Sequence, residues 1–466
     1  GGAGGGGGVG VDSGGERRAA TLAAHPPPLP PRLPAVGQHP RSALERVESV
    51  VESAAAAVGL AAAAKHVEPL PLDIIRPQDV SIVRYHVPGG THSKSGLLTE
   101  INHAAYAKRH GYRLGADKVS ETSFESVMHL VDPASWIKVP LMLAAIDPRV
   151  SGVAPSELVI WVDADVVFTS PEVELTSLLA NLVPEGSSKS VIMARDLGNN
   201  IVNGGVIIVR RSEWSVAFLR RLLETSRNET TRRSGYWEQD AIKVLYDANE
   251  FGERDNILVI EERHLLNAFT KRREWRHGDF IAHHTQCPFH EDFGVTHDEC
   301  EKLFRLFICT STPLDDPLVR NFCAPITAPE LPPPQLSLLL ESATNVAWPW
   351  PTEIMGTIND VPAEVKFYAA SAKLPGVTRL CEVGFAKGHS AITMLWSNPE
   401  STLVSFDLED LEHAQRSLEY VKKLFPNRVN RVAGDSLVSL SAHATSLGDT
   451  PEICDLFSVD GVHEGD

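Results

Sequence analysis

The chain has 466 residues, with 43 Lys and Arg against 60 Asp and Glu, for a net charge of −17. That length suggests two or three domains, and 43% hydrophobic content is enough for real cores. The acidic balance argues against a groove that tracks nucleic-acid phosphates, although a divalent cation can still bring a nucleotide to acidic residues.

Position 1 is Gly, and the final Val462-His463-Glu464-Gly465-Asp466 stops in mid-pattern, so we expect a processed chain or a fragment. No run of 18 or more apolar residues occurs. A membrane anchor in a preceding segment stays open. Residues 1–41 are rich in Gly and Pro and bury too little apolar surface to offset chain entropy. The expectation is a disordered tail over 1–75, with an Ala-rich helix at 42–64.

From Val80 the texture alternates. Strands are predicted at 80–84, 158–162, 191–194, 206–209, 257–260 and 280–283. Helices are predicted at 97–110, 135–146, 212–226 and 238–248. This alternation predicts one layered α/β domain over 76–310. The prolines between Pro313 and Pro351 predict a semi-rigid linker over 311–352. A second series over 353–466 reads helix 361–373, strand 378–383, helix 390–396, strand 402–406, helix 411–424, strand 428–432 and strand 455–459. That is a doubly wound, Rossmann-like pattern. The six cysteines form no Cys-x-x-Cys pair. Disulfides and scattered buried thiols both remain open.

The sharpest motif is Val159-Ile160-Trp161-Val162-Asp163-Ala164-Asp165. In extended backbone, residues i and i+2 point to the same side, so both carboxylates are expected to reach one divalent ion at the strand's carboxyl end. Oxygen ligands suit Mg²⁺ or Mn²⁺, and such an ion can hold a diphosphate. Two solvated aspartates ending a strand are the plain alternative. Downstream stand Asn203-Gly204-Gly205, Trp237-Glu238-Gln239-Asp240, and His283-His284-Thr285-Gln286-Cys287. Taken singly, these read equally as a tight turn, a capped helix start and surface histidines.

In this order the motifs resemble the galactomannan galactosyltransferase, mannan-polymerase and xyloglucan xylosyltransferase family, over roughly residues 79–290. Ala107–Tyr112 and Trp136–Pro140 share in the likeness. The resemblance implies a GT-A fold, a nucleotide-sugar donor with UDP-sugars favoured, a glycan acceptor, retention of configuration, and a Golgi membrane location on the lumenal side. It implies Asp163 and Asp165 as metal and donor ligands, with Mn²⁺ or Mg²⁺ bound. His283, or His284 beside it, would complete the metal shell. Asn203 and Gly204 would contact the donor, and Gln239 and Asp240 would face the reacting anomeric carbon.

In the second series, Glu382-Val383-Gly384-Phe385-Ala386-Lys387-Gly388 leaves a strand and opens a helix. The spacing is not Gly-x-Gly-x-x-Gly, so a nucleoside is favoured over a dinucleotide. Asp407 ends the next strand, Asp435 follows the third and Asp460 the fourth. This looks like a class I S-adenosylmethionine-dependent methyltransferase over about 353–466. The resemblance implies S-adenosylmethionine held by Glu382, Gly384, Gly388, Asp407, Asp435 and Asp460. That family's sheet continues through further strands, so the expectation here is a truncated domain with an open edge, inactive or unstable as given.

The expected whole is an α/β protein: a GT-A nucleotide-diphospho-sugar transferase domain, then a truncated Rossmann-like methyltransferase domain. The expected activity is retaining, metal-dependent transfer of a hexosyl or pentosyl group. Two alternatives stand beside it: a methyltransferase carrying an inactive sugar-recognition module, and a non-catalytic glycan-binding protein.

Overall fold

The computed structural model describes residues 68–86, 93–115, 134–151, 154–197, 201–285, 297–326, 331–347, 358–359, 361–408, 412–446 and 454–459. The expected tail over 1–67 lies outside these residues. Its last stretch, 68–75, is not a tail. Leu72–Ile74 forms a short 3₁₀ turn, Ile75 is buried, and Leu72 packs on the same core. Arg210 Nη2 also donates to Leu70 O at 2.9 Å, which ties the segment to β6.

The first domain runs β1 (Val80–Val83), α1 (Ser93–His110), β2 (Arg113–Leu114), α2 (Lys138–Ile146), β3 (Leu158–Val162), β4 (Val166–Phe168), α3 (Leu175–Leu182), β5 (Val191–Ala194), β6 (Val206–Arg210), α4 (Glu213–Thr225), α5 (Glu238–Ala248), β7 (Ile257–Ile260), β8 (Ala268–Phe269) and β9 (Ile281–His283). The main sheet has the order β2-β1-β3-β6-β5-β7. Strand β6 is antiparallel to both β3 and β5, and the remaining pairs are parallel. Every residue of β3 and β6 is buried, as their unbroken apolar runs require.

Alternate side chains of β3 feed two cores. Val159 and Trp161 join Trp136, Met142 and Phe218 beneath α2 and α4. Ile160 and Val162 join Tyr106, Phe168, Leu175 and Leu179 on the other face. Tyr106 stacks on Phe168 with ring centroids 4.0 Å apart. Each such fully buried side chain contributes about 1.5–3 kcal/mol. A second, three-stranded sheet, β4-β9-β8, stands at the carboxyl end of β3. Strands β4 and β8 were not expected, being too short to show a period.

The stretch predicted as an irregular linker is largely helical. Helix α6 (His297–Ser311) leads into it, and α7 (Pro317–Cys323) and α8 (Pro334–Ala347) follow. Pro317 and Pro334 are the first residues of their helices, where a missing N–H removes no hydrogen bond. Asp316 caps α7 through Leu318 N and Val319 N. Leu338 of α8 packs with Trp275, Phe304 and Phe307. Leu336, Leu339, Leu340 and Ala343 enter the core of the next domain. Helix α8 thus works as a shared wall. Asn345 donates to Trp275 O at 2.7 Å on one side, and Arg416 donates to Val346 O at 3.1 Å on the other.

The second domain runs α9 (Pro362–Ala372), β10 (Arg379–Val383), α10 (His389–Ser397), β11 (Thr402–Asp407), α11 (Glu412–Leu424), β12 (Val429–Ala433), α12 (Ser436–Ser446) and β13 (Leu456–Val459). Its sheet, β12-β11-β10-β13, is all parallel. The α/β class expected for both halves holds. Phe457 and Val459 of β13 are exposed, as are Leu437 and Val438 of α12. Disulfides join Cys309 to Cys323 and Cys381 to Cys454, and Cys300 is also disulfide-bonded. Among the described residues no cysteine is free. No helix among them is long and apolar enough to cross a membrane.

Candidate metal centre and its surroundings

Strand β3 ends at Val162, so Asp163 and Asp165 do not share an extended strand face as expected. They lie in a tight turn that hands the chain to β4, closed by Val166 N donating to Asp163 O at 3.1 Å. Asp163 N donates to Gly205 O at 2.9 Å, and His284 N donates to Asp165 O at 2.9 Å. The turn is therefore pinned to β6 on one side and to β9 on the other. The carboxylates converge because the backbone bends.

Strand β9 delivers His283 to the same place. One ligand atom each from Asp163, Asp165 and His283 lie within 4.8 Å of one another. His283 Nε2 stands 3.4 Å from Asp165 Oδ1. Its Nδ1 is buried without a hydrogen-bond partner. Burial pulls the imidazole pKa down, but the Asp165 carboxylate more than offsets this, so His283 titrates above its ordinary value. Of the two histidines, His283 is the one that stands with the two carboxylates. His284 instead sets its ring against Phe304, centroids 5.1 Å apart. Two carboxylates and an imidazole suit a hard or borderline divalent cation, and an orphaned ring nitrogen in so acidic a cluster fits a site built for one.

Sequence reasoning missed the residue that binds the motifs together. Lys138, the first residue of α2, is buried. Its Nζ stands 3.2 Å from Asp163 Oδ1 and 2.6 Å from Glu238 Oε1, and donates to Gly204 O at 2.9 Å. Burial alone would lower the ammonium pKa. Asp163 and Glu238 outweigh it, so the pKa is raised and Lys138 stays charged. Burial pushes the Glu238 carboxyl up against the pull of Lys138. Trp161 Nε1 also donates to Asp163 Oδ1, at 2.6 Å. Lys138 lies within the Trp136–Pro140 run, but nothing in a sequence marks a lysine as buried.

The glycine pair is explained by close approach. A Cβ on Gly205 would stand 2.1 Å from His283 Cε1, and one on Gly204 would stand 2.6 Å from Glu238 Oε1. Gly204 N donates to Gln239 Oε1 at 2.5 Å, and Gln239 Nε2 donates to Asp196 Oδ2 at 3.0 Å. Both ends of the Gln239 amide are thus fixed. Asp240 accepts from Tyr236 N at 3.1 Å. Asn203 is buried, and its Oδ1 accepts from Gly205 N and Asn267 Nδ2, both at 2.9 Å, so it shapes the loop from within. The structure brings Asp163, Asp165, Gly204, Gln239 and His283 into one bonded neighbourhood.

In the second domain the predicted residues gather at the carboxyl ends of β10, β11 and β12. Asp407 Oδ2 accepts from Phe385 N at 3.1 Å and Ala386 N at 3.3 Å. Glu382 is buried and accepts from Ser390 Oγ at 2.7 Å. Gly384 N donates to Phe406 O at 2.9 Å, and Gly388, in left-handed conformation, starts α10. Asp435 Oδ1 accepts from Leu437 N at 2.9 Å and so caps α12. Asp460 lies outside the described residues.

Comparison with known proteins adds the following. Residues 179–294 match the family model of the galactosyl transferase GMA12/MNN10 family. That span holds Asn203, Gly204, Gln239, Asp240 and His283 but not the Asp163–Asp165 turn. No curated protein matches the chain. Among solved structures, a glycosyltransferase involved in glycosylating the major capsid of PBCV-1 aligns at 16% identity, over 49% of this chain and 98% of that one, with a TM-score of 0.34. A Klebsiella pneumoniae protein described as an O-methyltransferase aligns at 25% identity, over 29% of this chain and 56% of that one, with a TM-score of 0.22. Over residues 179–294 the chain is similar to a family of glycosyltransferases.

Proposed function

We propose that the first domain is a retaining, metal-dependent glycosyltransferase that moves a hexosyl or pentosyl group from a nucleotide sugar to a glycan acceptor. The observation that carries this reading is the Asp163, Asp165 and His283 cluster, joined through Lys138 and Gly204 to Glu238 and Gln239. Asp163, Asp165 and His283 would hold Mn²⁺ or Mg²⁺. A cation there supplies positive charge to set against the departing nucleoside diphosphate, a UDP-sugar being the favoured donor. Lys138 and the Trp161 N–H hold the Asp163 carboxylate in place. Gln239, clamped between Gly204 and Asp196, presents a fixed amide edge to the sugar. Asp240 adds negative charge on the same helix turn, opposite in sign to an oxocarbenium-like carbon. On this reading the departing phosphate oxygen takes the acceptor's proton on the face that the sugar keeps.

The disulfides favour an oxidising compartment and so support a lumenal, Golgi location. For the second domain we propose a nucleoside site for S-adenosylmethionine at the β10–α10 turn. An all-parallel sheet with a glycine turn entering a helix supports it. Titration of the full chain with S-adenosylmethionine in a calorimeter tests that part, and absence of heat at millimolar ligand overturns it.

The transfer reading is tested by incubating the full chain with Mn²⁺ and a panel of UDP- and GDP-sugars. The expected result is release of nucleoside diphosphate that EDTA abolishes. If no donor in the panel is bound or turned over with Mn²⁺, the reading fails.

A further inference from the structure

Helix α1 carries three polar side chains that water hardly reaches. Thr99, Asn102 and His103 are exposed by 0%, 1% and 0%. Spacings of three and four place them on one helix face. Burying a polar side chain costs free energy unless a partner takes its hydrogen bond. All three find such partners within residues 164–168. Thr99 Oγ1 donates to Ala164 O at 2.8 Å, and His103 Nε2 donates to Val166 O at 2.7 Å. Asn102 Nδ2 donates to Phe168 O at 3.2 Å, and its Oδ1 accepts from Phe168 N at 2.9 Å.

Two of the three have a plain structural task. Strand β4 is the edge of its sheet, with β9 on one side only. Asn102 and His103 bond the other side, as a neighbouring strand would. Asn102 also reaches Ser311 Oγ and Thr312 Oγ1, each at 3.1 Å, at the end of α6. Since Val166 is the register partner of His283, a fixed β4 also fixes where His283 stands.

Thr99 does something else. Ala164 precedes β4 and lies in the turn between the two carboxylates. Its carbonyl is only part-buried, so water could serve it, and no strand edge needs covering there. The bond fixes a peptide plane, the one that joins Ala164 to Asp165. On the far side of Asp165, His284 N holds the next carbonyl at 2.9 Å. Asp165 is thus gripped before and after its Cα, which sets the direction its side chain takes. A threonine inside a helix ordinarily turns its hydroxyl back on its own backbone, and Gly96 O stands ready at 3.1 Å. The hydroxyl has one proton to give, and Ala164 O takes it at the shorter distance.

We propose that Thr99 is a positioning residue for the metal centre: by holding the Ala164 carbonyl, it sets the Asp165 carboxylate toward the cation that Asp163 and His283 share. This rests on the reading of Asp163, Asp165 and His283 as metal ligands. A ligand aimed in advance loses less freedom when the ion arrives, so the bond shows up as metal affinity.

The full chain is titrated with Mn²⁺, alone and again with UDP present, and the ion is followed by electron paramagnetic resonance. The parent is expected to bind, and the double variant Asp163→Ala, Asp165→Ala is expected to lose binding. Thr99→Val keeps the branched shape and removes the hydroxyl. It is expected to weaken Mn²⁺ about tenfold and to change the spectrum of the bound ion. Thr99→Ser keeps the hydroxyl and is expected to stay within about threefold of the parent, with the parent's spectrum. Thr99→Ala takes the place of Thr99→Val if circular dichroism shows that the latter does not fold.

An Mn²⁺ affinity in Thr99→Val equal to the parent's overturns the proposal and leaves the metal centre standing, even where urea unfolding of the metal-free chain shows lost stability. Equal weakening in Thr99→Val and Thr99→Ser overturns it too. A parent that binds no Mn²⁺ under either condition ends the metal reading of Asp163, Asp165 and His283, and the proposal falls with it. The same holds if the double variant binds Mn²⁺ as well as the parent does.

Discussion

Asp163 follows β3 and Asp407 ends β11, so both carboxylates stand at the carboxyl end of a strand with a parallel neighbour. Their surroundings differ. Asp163 is met by side chains, the Lys138 ammonium and the Trp161 N–H, with Asp165 and His283 close by. Asp407 is hydrogen-bonded by backbone, the amides of Phe385 and Ala386, and its side-chain partner, Arg431 Nη2, stands farther off at 3.9 Å. Side-chain partners leave a carboxylate free to share its charge with an ion. Backbone partners build it into a turn, and a ligand must then share an oxygen that the fold already uses. Position on the sheet thus makes a site possible, and the identity of the partner sets what the site can do.

The largest expected effect breaks the first side of this comparison. Replacing both Asp163 and Asp165 by Ala removes two of three ligand groups at once. Transfer measured by nucleoside diphosphate release should fall about 10³-fold or more. Thermal stability should fall as well, because the buried Lys138 and the Trp161 N–H lose the Asp163 carboxylate. The turn keeps its backbone bonds to Gly205 and His284, and circular dichroism checks that the chain is folded where transfer is measured. Retained transfer would move the chemistry elsewhere in the molecule.

Next in size is the buried lysine. Lys138→Met leaves the Glu238 carboxylate buried with no cation, and breaking a buried pair in this way costs about 3–5 kcal/mol. Adding Glu238→Gln to the same chain should recover a large part, read from urea unfolding of the single and double variants. A double variant no more stable than Lys138→Met would mean that Lys138 acts by packing on Trp161, whose ring centroid lies 5.7 Å away, and not by charge.

A smaller effect tests the support beneath the turn. His103 is fully buried, and its Nε2–H donates to Val166 O at 2.7 Å. Burial, helped by Arg84, pulls its pKa down to about 3 against the effect of the Val166 carbonyl. The native imidazole is therefore neutral at every pH of interest. Below about pH 6.5 the unfolded chain takes up a proton that the native state refuses, so stability falls as pH falls. Between pH 7 and pH 5 this group should remove about 2 kcal/mol. His103→Gln should lack that part of the acid sensitivity in urea titrations at the two pH values.

Much of this arrangement was legible in the residues. The runs Leu158–Val162 and Ile257–Ile260 and the amphipathic stretch Glu238–Ala248 each form the element that their pattern predicts. The co-location of Asp163, Asp165 and His283 follows from motif order once the strands are known. Three features were not legible. The turn at Asp163–Asp165 depends on tertiary bonds to Gly205 and His284, and local pattern carries no trace of them. The burial of Lys138 depends on two carboxylates, one of them 100 residues away in the chain. Helix α8 hid behind prolines that sit at its start, where they do not oppose a helix.

The smallest effect tests the second side of the comparison. If the second domain's carboxylates serve the backbone first, their removal should be felt as lost capping even with no ligand present. Asp435 accepts from Leu437 N at the start of α12. Its truncation to Ala should cost about 1 kcal/mol, the ordinary worth of an N-cap. Asp435→Asn keeps an accepting oxygen and should cost no more than a few tenths of that. Urea unfolding of the full chain without S-adenosylmethionine measures both. The pair separates capping from charge: equal losses in Ala and Asn would show that the negative charge near the helix start matters and the hydrogen bond does not. A loss confined to Ala would place Asp435 with Asp407, as a carboxylate that the turn has already used.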